Sequence, residues 1–343
     1  MEQRQNTKGL RVRERHANVA LFVPHAGCPH QCSFCNQRAI SGKQVLPDEQ
    51  DVERAVQTAL QSGADPNHSE IAFFGGSFTA IDREYMLRLL HAAEPYCRAG
   101  HFRGIRISTR PDCVSDGMLS LLKAHCVTSI ELGAQSMCDS VLQKNGRGHT
   151  AQDTRAACAR IKAHGFSLGL QMMTGLPGDD GGATHTAREL IALAPDTVRI
   201  YPTVVLKGTD LAKLYARGEY LPQTLGEAVS LCAELLLLFH SAGVKVIRAG
   251  LHSGGEVASD VVAGPYHPAF RELCEGEIYF RLARDEILSR DLSGALTIKV
   301  NPSERSKMAG QKRKNLLRLR ELGADCRVAG NSALDKYEIM IHL

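Results

Sequence analysis

The sequence predicts an α/β fold, a partial (β/α)6 TIM-type barrel with a small C-terminal α+β module. Three observations carry the prediction. Short apolar runs alternate with longer segments of helical period from Ala17 to Thr203. Each run is brief and bounded by Gly, Pro or Asn, as buried parallel strands are. After Pro202 the alternation gives way to long helical stretches and a few separated strands.

In chain order the expected strands are Ala17–Val23, Ser69–Phe74, Gly104–Ser108, Val127–Gly133, Phe166–Met173 and Thr197–Tyr201. Between them, Asp48–Gln61 places Val52, Val56, Ala59 and Leu60 on one helical face, and Asp82–Cys97 does the same with Met86, Leu87, Leu89 and Leu90. Asp82 and Ser115 suit helix N-caps, and Gly63 and Gly165 suit helix stops. Six strand–helix units in series call for a parallel sheet curled into a full or partial barrel. A doubly wound open sheet is the competing arrangement, and periodicity does not separate the two. Beyond Pro202, Leu225–Ser241 reads as a long helix, Val244–Ile247 as a strand and Pro268–Arg290 as mainly helical. A strand at Leu296–Val300, a basic helix at Gln311–Leu322 and a terminal strand at Lys336–His342 complete the chain. The expected organisation is a basic segment at 1–16, a barrel at 17–205 and an extension at 206–343 that completes the fold, with a basic module at 291–343.

Composition narrows the class. Of 343 residues, 43% are hydrophobic and 23% charged, enough apolar surface to offset the entropy of folding. At roughly 150 residues per domain, the length allows about two domains. Eleven cysteines in this length are too sparse for a disulfide framework, and their distribution is uneven. Cys28, Cys32 and Cys35 are clustered, whereas the other eight are scattered singly and are expected to pack in the interior. The polar start lacks a secretory apolar core, and the run Leu235–Phe239 is far short of a membrane span. A cytoplasmic, reducing setting with no membrane contact is the expectation.

The sharpest local signal is Cys28-Pro29-His30-Gln31-Cys32-Ser33-Phe34-Cys35, directly after the first strand. Its place is the C-terminal rim of a parallel sheet, where active sites of such folds lie. Three close thiolates can hold three corners of a 4Fe–4S cluster and leave one iron open. Spacing alone also allows zinc, with His25 or His30 as fourth ligand, or cysteines that bind nothing.

The pattern Cys-x3-Cys-x-aromatic-Cys, with Phe34 at the aromatic position, resembles the radical SAM superfamily. The resemblance extends to motifs ending successive strands: Phe74-Gly75-Gly76-Ser77-Phe78, Ile107-Ser108-Thr109-Arg110-Pro111-Asp112, Glu131-Leu132-Gly133-Ala134-Gln135-Ser136 and Gln171-Met172-Met173-Thr174-Gly175-Leu176-Pro177-Gly178. Further segments are similar to the Elongator catalytic subunit: Asn145-Gly146-Arg147-Gly148-His149-Thr150, Ile200-Tyr201-Pro202-Thr203-Val204, Lys207-Gly208-Thr209 and the stretch from Gly264 to Leu273. That family modifies wobble uridines of tRNA, and its full-length members carry an acetyltransferase domain. The residues after Phe280 are too few for such a domain, so none is expected here.

The resemblance implies two cofactors, a 4Fe–4S cluster and S-adenosyl-L-methionine, whose reductive cleavage yields a 5′-deoxyadenosyl radical. It makes Cys28, Cys32 and Cys35 the cluster ligands. Phe34, Gly75, Gly76, Ser77, Ser108, Glu131, Gln135, Arg147 and Gln171 are the implied cofactor-binding residues. Gly75 and Gly76 allow close backbone approach to the amino group, with Ser77 contributing backbone contact. Arg147 offers a guanidinium fork to the methionine carboxylate, and Gln135 and Gln171 offer amides to the ribose. Ser108 stands where the Elongator family commonly has glutamate. Glu131 is assigned either to cofactor or to a pair with Arg110. Met172 and Met173 are expected in the core or against adenine, and Tyr201 toward the substrate. No catalytic side chain is singled out.

For the substrate, residues 1–16 hold five basic against two acidic residues, and residues 303–320 hold seven against one. Such ends suit the phosphates of tRNA or another RNA, or form solvated faces. A radical SAM enzyme acting on a small molecule or peptide is the alternative. Either chemistry requires an electron donor such as flavodoxin or ferredoxin.

Overall fold

The computed structural model of the chain describes residues 17–24, 28, 30–36, 45–251 and 257–343. The basic segment 1–16 and His25 lie outside the described residues. The six anticipated strands are present: β1 (Ala17–Val23), β2 (Ser69–Gly75), β3 (Ile105–Thr109), β4 (Val127–Gln135), β5 (Ser167–Thr174) and β6 (Thr197–Pro202). The short β7 (Val205–Leu206) pairs antiparallel with β9 (Val261–Ala263), while β8 (Lys245–Ala249) joins the main sheet beside β6. The sheet therefore has seven strands, ordered β1-β2-β3-β4-β5-β6-β8, every neighbour parallel. Its edge strands β1 and β8 both line one central cavity, so the sheet is curled into a half-barrel. The segment Val244–Ile247, expected as a strand of the C-terminal region, is thus the seventh strand of the barrel sheet. Helix Leu225–Ser241 supplies its crossover.

The strands alternate in character, and the alternation decides what the barrel can do. Leu21, Ile71, Phe73, Ile107, Ile130, Leu168, Leu170, Val198 and Ile200 are buried in the main apolar core, under the helices. The intervening residues, among them Asn18, Arg106, Ser108, Ser129, Gln171 and Arg199, line the cavity. A period of two with an apolar outside and a polar inside keeps the bore open for a ligand. Around it the helices begin on side-chain caps. Asp48 and Asp51 close a reciprocal capping box, Asp82 caps Arg83–Arg98, Ser115 caps Asp116–Ala124 and Thr150 caps Ala151–Ala163. Each cap fixes where a helix starts after its strand, and hence the length of the rim loop. Among the described residues, no helix is long and apolar enough to cross a membrane.

The C-terminal module is a three-stranded sheet of β10 (Gly294–Val300), β11 (Ala324–Gly330) and β12 (Met340–His342), ordered β11-β10-β12. It has its own apolar cluster, including Ile298, Val300, Met308 and Leu319, built onto Tyr279, Phe280 and Ala283 of helix Phe270–Ser289. The same helix gives Phe270, Cys274 and Ile278 to the barrel core, so one helix serves both cores. Two local expectations are corrected. The basic stretch Gln311–Leu322 is a 3-10 turn at Gln311–Arg313 followed by a helix at Lys314–Glu321, with φ of +50° at Lys312 and +62° at Arg313. The chain reverses there so that Asn315 Nδ2 can donate to the carbonyls of Gly276, Lys307 and Met308. The terminal strand is confined to Met340–His342, because the Tyr337 amide donates to the Tyr279 hydroxyl instead of a ladder.

Candidate active site

The three clustered cysteines follow β1 at the C-terminal rim. Cys35 N–H donates to Cys32 C=O at 3.1 Å, which closes the loop into a turn. Asn145, fully buried, holds the loop from below. Its backbone carbonyl accepts Ser33 N–H at 3.1 Å, and its Oδ1 accepts the Ser33 hydroxyl at 2.8 Å. Asn145 Nδ2 in turn donates to Val141 C=O, in the helix Asp139–Lys144 that Asn145 ends, and to Pro177 C=O, which ties this support to the loop after β5. On the other side, the Ser33 carbonyl accepts the Leu211 amide at 2.8 Å. Phe34 packs with Val205, Leu211 and Tyr220 and also faces the cavity.

Arg147 lies in the same layer, 6% exposed. Its Nη1 donates to Cys32 Sγ at 3.2 Å and its Nη2 to Gly133 C=O at 2.5 Å. Arg110 sits beside it, forked onto Asp112 at 2.9 Å through both Nε and Nη2, and it also donates to the Arg147 carbonyl. Although Cys28 is exposed by surface area, neighbouring groups crowd its thiol, and this desolvation pushes the thiol pKa up. The Ser77 amide pulls it down, Cys32 raises it, and the Arg110 and Arg147 guanidiniums pull it down. At Cys28 the two fixed cations oppose that rise without reversing it, and they suit a site that holds thiolates once iron is bound.

The glycine motif ends β2 against β1. The Gly76 amide donates to Val23 C=O at 2.8 Å. Gly75 has φ of +118°, and a Cβ there would lie 2.8 Å from that same carbonyl oxygen. Only glycine keeps this corner closed. Ser77 is buried, and its hydroxyl is engaged by Thr109 Oγ1 at 2.9 Å. Gln135 takes φ of +65° where the β4–β5 register shifts, and its side chain turns into the cavity. Among the described residues, Gln135 Oε1, Ser108 Oγ and Arg147 Nε are buried without a hydrogen-bond partner. Unpaired polar atoms of this kind are rare in folded proteins and suit a ligand with amino, hydroxyl and carboxylate groups. Thiols, closed glycine corner and orphaned polar atoms all fit an iron–sulfur cluster with S-adenosylmethionine.

Glu131 is placed differently from the expected pair with Arg110. Its carboxylate accepts Arg106 Nη1 at 3.1 Å, Arg199 Nη2 at 2.9 Å and Gln171 Nε2 at 3.1 Å. Arg106 also pairs with Glu70 at 2.7 Å, and Ser129 Oγ donates to Glu70 at 2.6 Å. A ladder Glu70–Arg106–Glu131–Arg199 therefore crosses β2, β3, β4 and β6 inside the bore. The reason is strand geometry. Arg106 and Glu131 project from the inward faces of β3 and β4, whereas Arg110 lies past the end of β3 and turns to Asp112. Arg106, Arg199 and Asn145 carried no assigned role in the sequence. The polar residues at alternate strand positions were the signal for the first two.

Above the ladder lies a cavity of about 1130 Å³. It reaches Cys35, Phe34, Gly75, Ser108, Gln135, Gln171, Met173 and Tyr201, and so joins half of the expected site residues, whereas Cys28, Cys32, Gly76, Ser77, Glu131 and Arg147 do not line it. Met172 is fully buried in the core on the opposite face of β5. His149 is buried beside this layer, where desolvation and then the Arg147 and Arg110 charges push its pKa down to about 4. Of the eight scattered cysteines, Cys158, Cys232, Cys274 and Cys326 are buried, and the other four are partly so.

Two family models match the chain, the radical SAM superfamily over residues 22–191 and the radical SAM C-terminal domain over 195–279. Among curated proteins, an uncharacterised protein of Methanocaldococcus jannaschii is 30% identical over 245 residues, spanning 66% of this chain and 74% of that protein. The tRNA uridine(34) acetyltransferase of the same organism is 28% identical over 265 residues, 65% of this chain and 49% of the enzyme. This chain therefore spans about half the length of that relative. Among solved structures, the archaeal Elp3 of Methanocaldococcus infernus with an N-terminal deletion superposes with a TM-score of 0.62 at 22% identity, covering 81% of this chain and 64% of that one. That last likeness is one of fold. With its cysteine loop, glycine corner and polar bore on a matching half-barrel, the chain belongs to the radical SAM superfamily.

Proposed function

We propose that the chain is a radical SAM enzyme that modifies an RNA, tRNA first among them, in an Elongator-like way. The observation that carries the proposal is the meeting of Cys28, Cys32 and Cys35 with Gly75, Gly76 and Arg147 on one rim above a polar bore. In this reading the three thiolates would hold a 4Fe–4S cluster that, once reduced by the electron donor, would supply the one electron that splits S-adenosylmethionine into methionine and a 5′-deoxyadenosyl radical. Phe34 shields the loop from the cavity side. Backbone carbonyls of the Gly75–Gly76–Ser77 corner accept from the methionine amino end. Arg147 and the orphaned atoms of Ser108 and Gln135 receive the carboxylate and ribose. Gln171 and Glu131 act as one unit, since they are bonded to each other. Arg110, by fixing the Arg147 carbonyl, positions Arg147.

The RNA part of the proposal is supported by the tRNA-modifying relative and by the exposed cations of the C-terminal module. Within 303–320, Lys307 and Arg318 are engaged internally with Glu275, Glu304 and Glu277. Arg305, Lys312, Arg313, Lys314 and Arg320 are exposed and available to phosphates. The reading includes a cytoplasmic, reducing setting and an electron donor of the flavodoxin or ferredoxin class. Its test is binding of bulk tRNA to the anaerobically loaded chain across a salt series. Affinity that falls steeply with salt is expected. Absence of binding at low salt would overturn the RNA reading and favour a small-molecule or peptide substrate.

A further inference from the structure

The lining of the bore is strongly unbalanced in charge. Arg103, Arg106, Arg199, Lys245, Arg248 and Arg271 line it, against one carboxylate, Asp196. The carboxylates behind the lining compensate unevenly. Glu70 and Glu131 are consumed by Arg106 and Arg199 in the ladder. Glu275 meets Arg271 at 3.1 Å but also Lys307 and Lys336 at 2.7 Å each, so one carboxylate faces three cations. Arg248 is half-buried, and among the described residues it has no hydrogen bond or ion pair. It stands directly beside Arg199 in the β6–β8 register, and Arg271 reaches across the edge strand to Val246 C=O at 2.9 Å. Arg199, Arg248 and Arg271 thus all line the cavity along its β6–β8 edge, where aromatic rings also face it. Arg199 lies 5.1 Å over the Phe74 ring, with Phe22 at 6.2 Å from Phe74 and Tyr201 also facing in.

We propose that Arg199, Arg248 and Arg271 form a subsite inside the barrel for the phosphate of a nucleotide, with Phe74 and Tyr201 flanking its base. Guanidinium forks match phosphate oxygens bidentately, and a partly desolvated cation without a carboxylate gains most from an incoming anion. Phe74 and Tyr201 supply a stacking surface that tolerates any base. A nucleotide drawn out of its RNA stack arrives with its phosphate attached, as enzymes acting on bases require. The inference rests on the RNA reading above and names the part of the substrate that the bore receives.

The test uses the cluster-loaded chain and three probes: uridine, uridine 5′-monophosphate and a tRNA anticodon stem-loop. Calorimetric titration is expected to show the monophosphate binding about tenfold or more tighter than uridine, as one charge-assisted contact gives. Arg248→Met should abolish most of that preference, and Arg248→Lys should keep part of it. S-adenosylmethionine binding and melting temperature should stay unchanged in both variants, because Arg248 has no hydrogen bond or ion pair to lose among the described residues. Equal binding of uridine and its monophosphate, or a preference that survives in Arg248→Met, overturns the subsite. If the stem-loop still binds in that case, the RNA reading stands without it. A preference for the monophosphate without stem-loop binding sustains the subsite and overturns the RNA reading, leaving a free nucleotide as substrate.

Discussion

Glu131→Gln is the perturbation whose consequence follows most directly from the structure. The Glu131 carboxylate is 1% exposed and joins Arg106, Arg199 and Gln171 at 3.1, 2.9 and 3.1 Å. Glutamine keeps the shape and one acceptor oxygen but removes the charge, which leaves Arg106 with Glu70 alone and Arg199 without its carboxylate. Removing one partner of a buried ion pair costs about 3–5 kcal/mol, because the other charge stays buried and uncompensated. The retained acceptor points to the lower end, about 3 kcal/mol, against a total stability of roughly 5–15 kcal/mol. At about 2.1 cal/mol/K of unfolding entropy per residue over 343 residues, the midpoint of thermal unfolding should fall by roughly 4 °C. The assay is urea unfolding followed by circular dichroism, for Glu131→Gln, Arg199→Met and the double variant. The double variant should recover part of the loss, since it no longer strands the Arg199 charge. A loss below about 1 kcal/mol, or costs that simply add, would refute the claim that the four residues act as one closed set.

Three more outcomes follow from the same geometry. His149 is held neutral with a pKa of about 4 against an ordinary 6.5, so it contributes stability above pH 6.5 that is lost as pH falls from there toward 4. The loss across that window is on the order of 3 kcal/mol, and His149→Leu should flatten it in urea midpoints measured against pH. Gly75→Ala forces a Cβ to within 2.8 Å of Val23 C=O. It should weaken S-adenosylmethionine binding by about tenfold or more, with iron content unchanged. Asn145→Ala leaves Ser33 and the carbonyls of Val141 and Pro177 without their buried partner, at a cost of about 1–3 kcal/mol. The variant should lose iron faster on desalting, while Arg305→Ala, on the exposed module surface, should not.

What was legible in the sequence was chiefly local. The caps Asp82 and Ser115 act on backbone amides three residues away, so their positions mark helix starts without knowledge of the fold. The cysteine loop and the strand-end motifs were legible because a rim site concentrates unusual residues at fixed strand ends. The placement of β8 was not legible. A loop, a short helix and β7 interrupt the strand–helix rhythm before it, and periodicity carries no information on which sheet a strand joins. The partners of Glu131 were hidden for a related reason, since they depend on sheet register across three strands. The kink at Lys312 and Arg313 runs against the helical propensity of both residues. It exists because Asn315 must return to three carbonyls on neighbouring elements, and Gly310 was its one local sign.

The account stands most directly on one measurement. The anaerobically reconstituted chain is given S-adenosylmethionine and dithionite, with and without bulk tRNA, and 5′-deoxyadenosine is quantified by chromatography. Deoxyadenosine should form only with dithionite, be lost in Cys32→Ala and increase when tRNA is present. An intact 4Fe–4S spectrum with no deoxyadenosine in either sample would contradict the account.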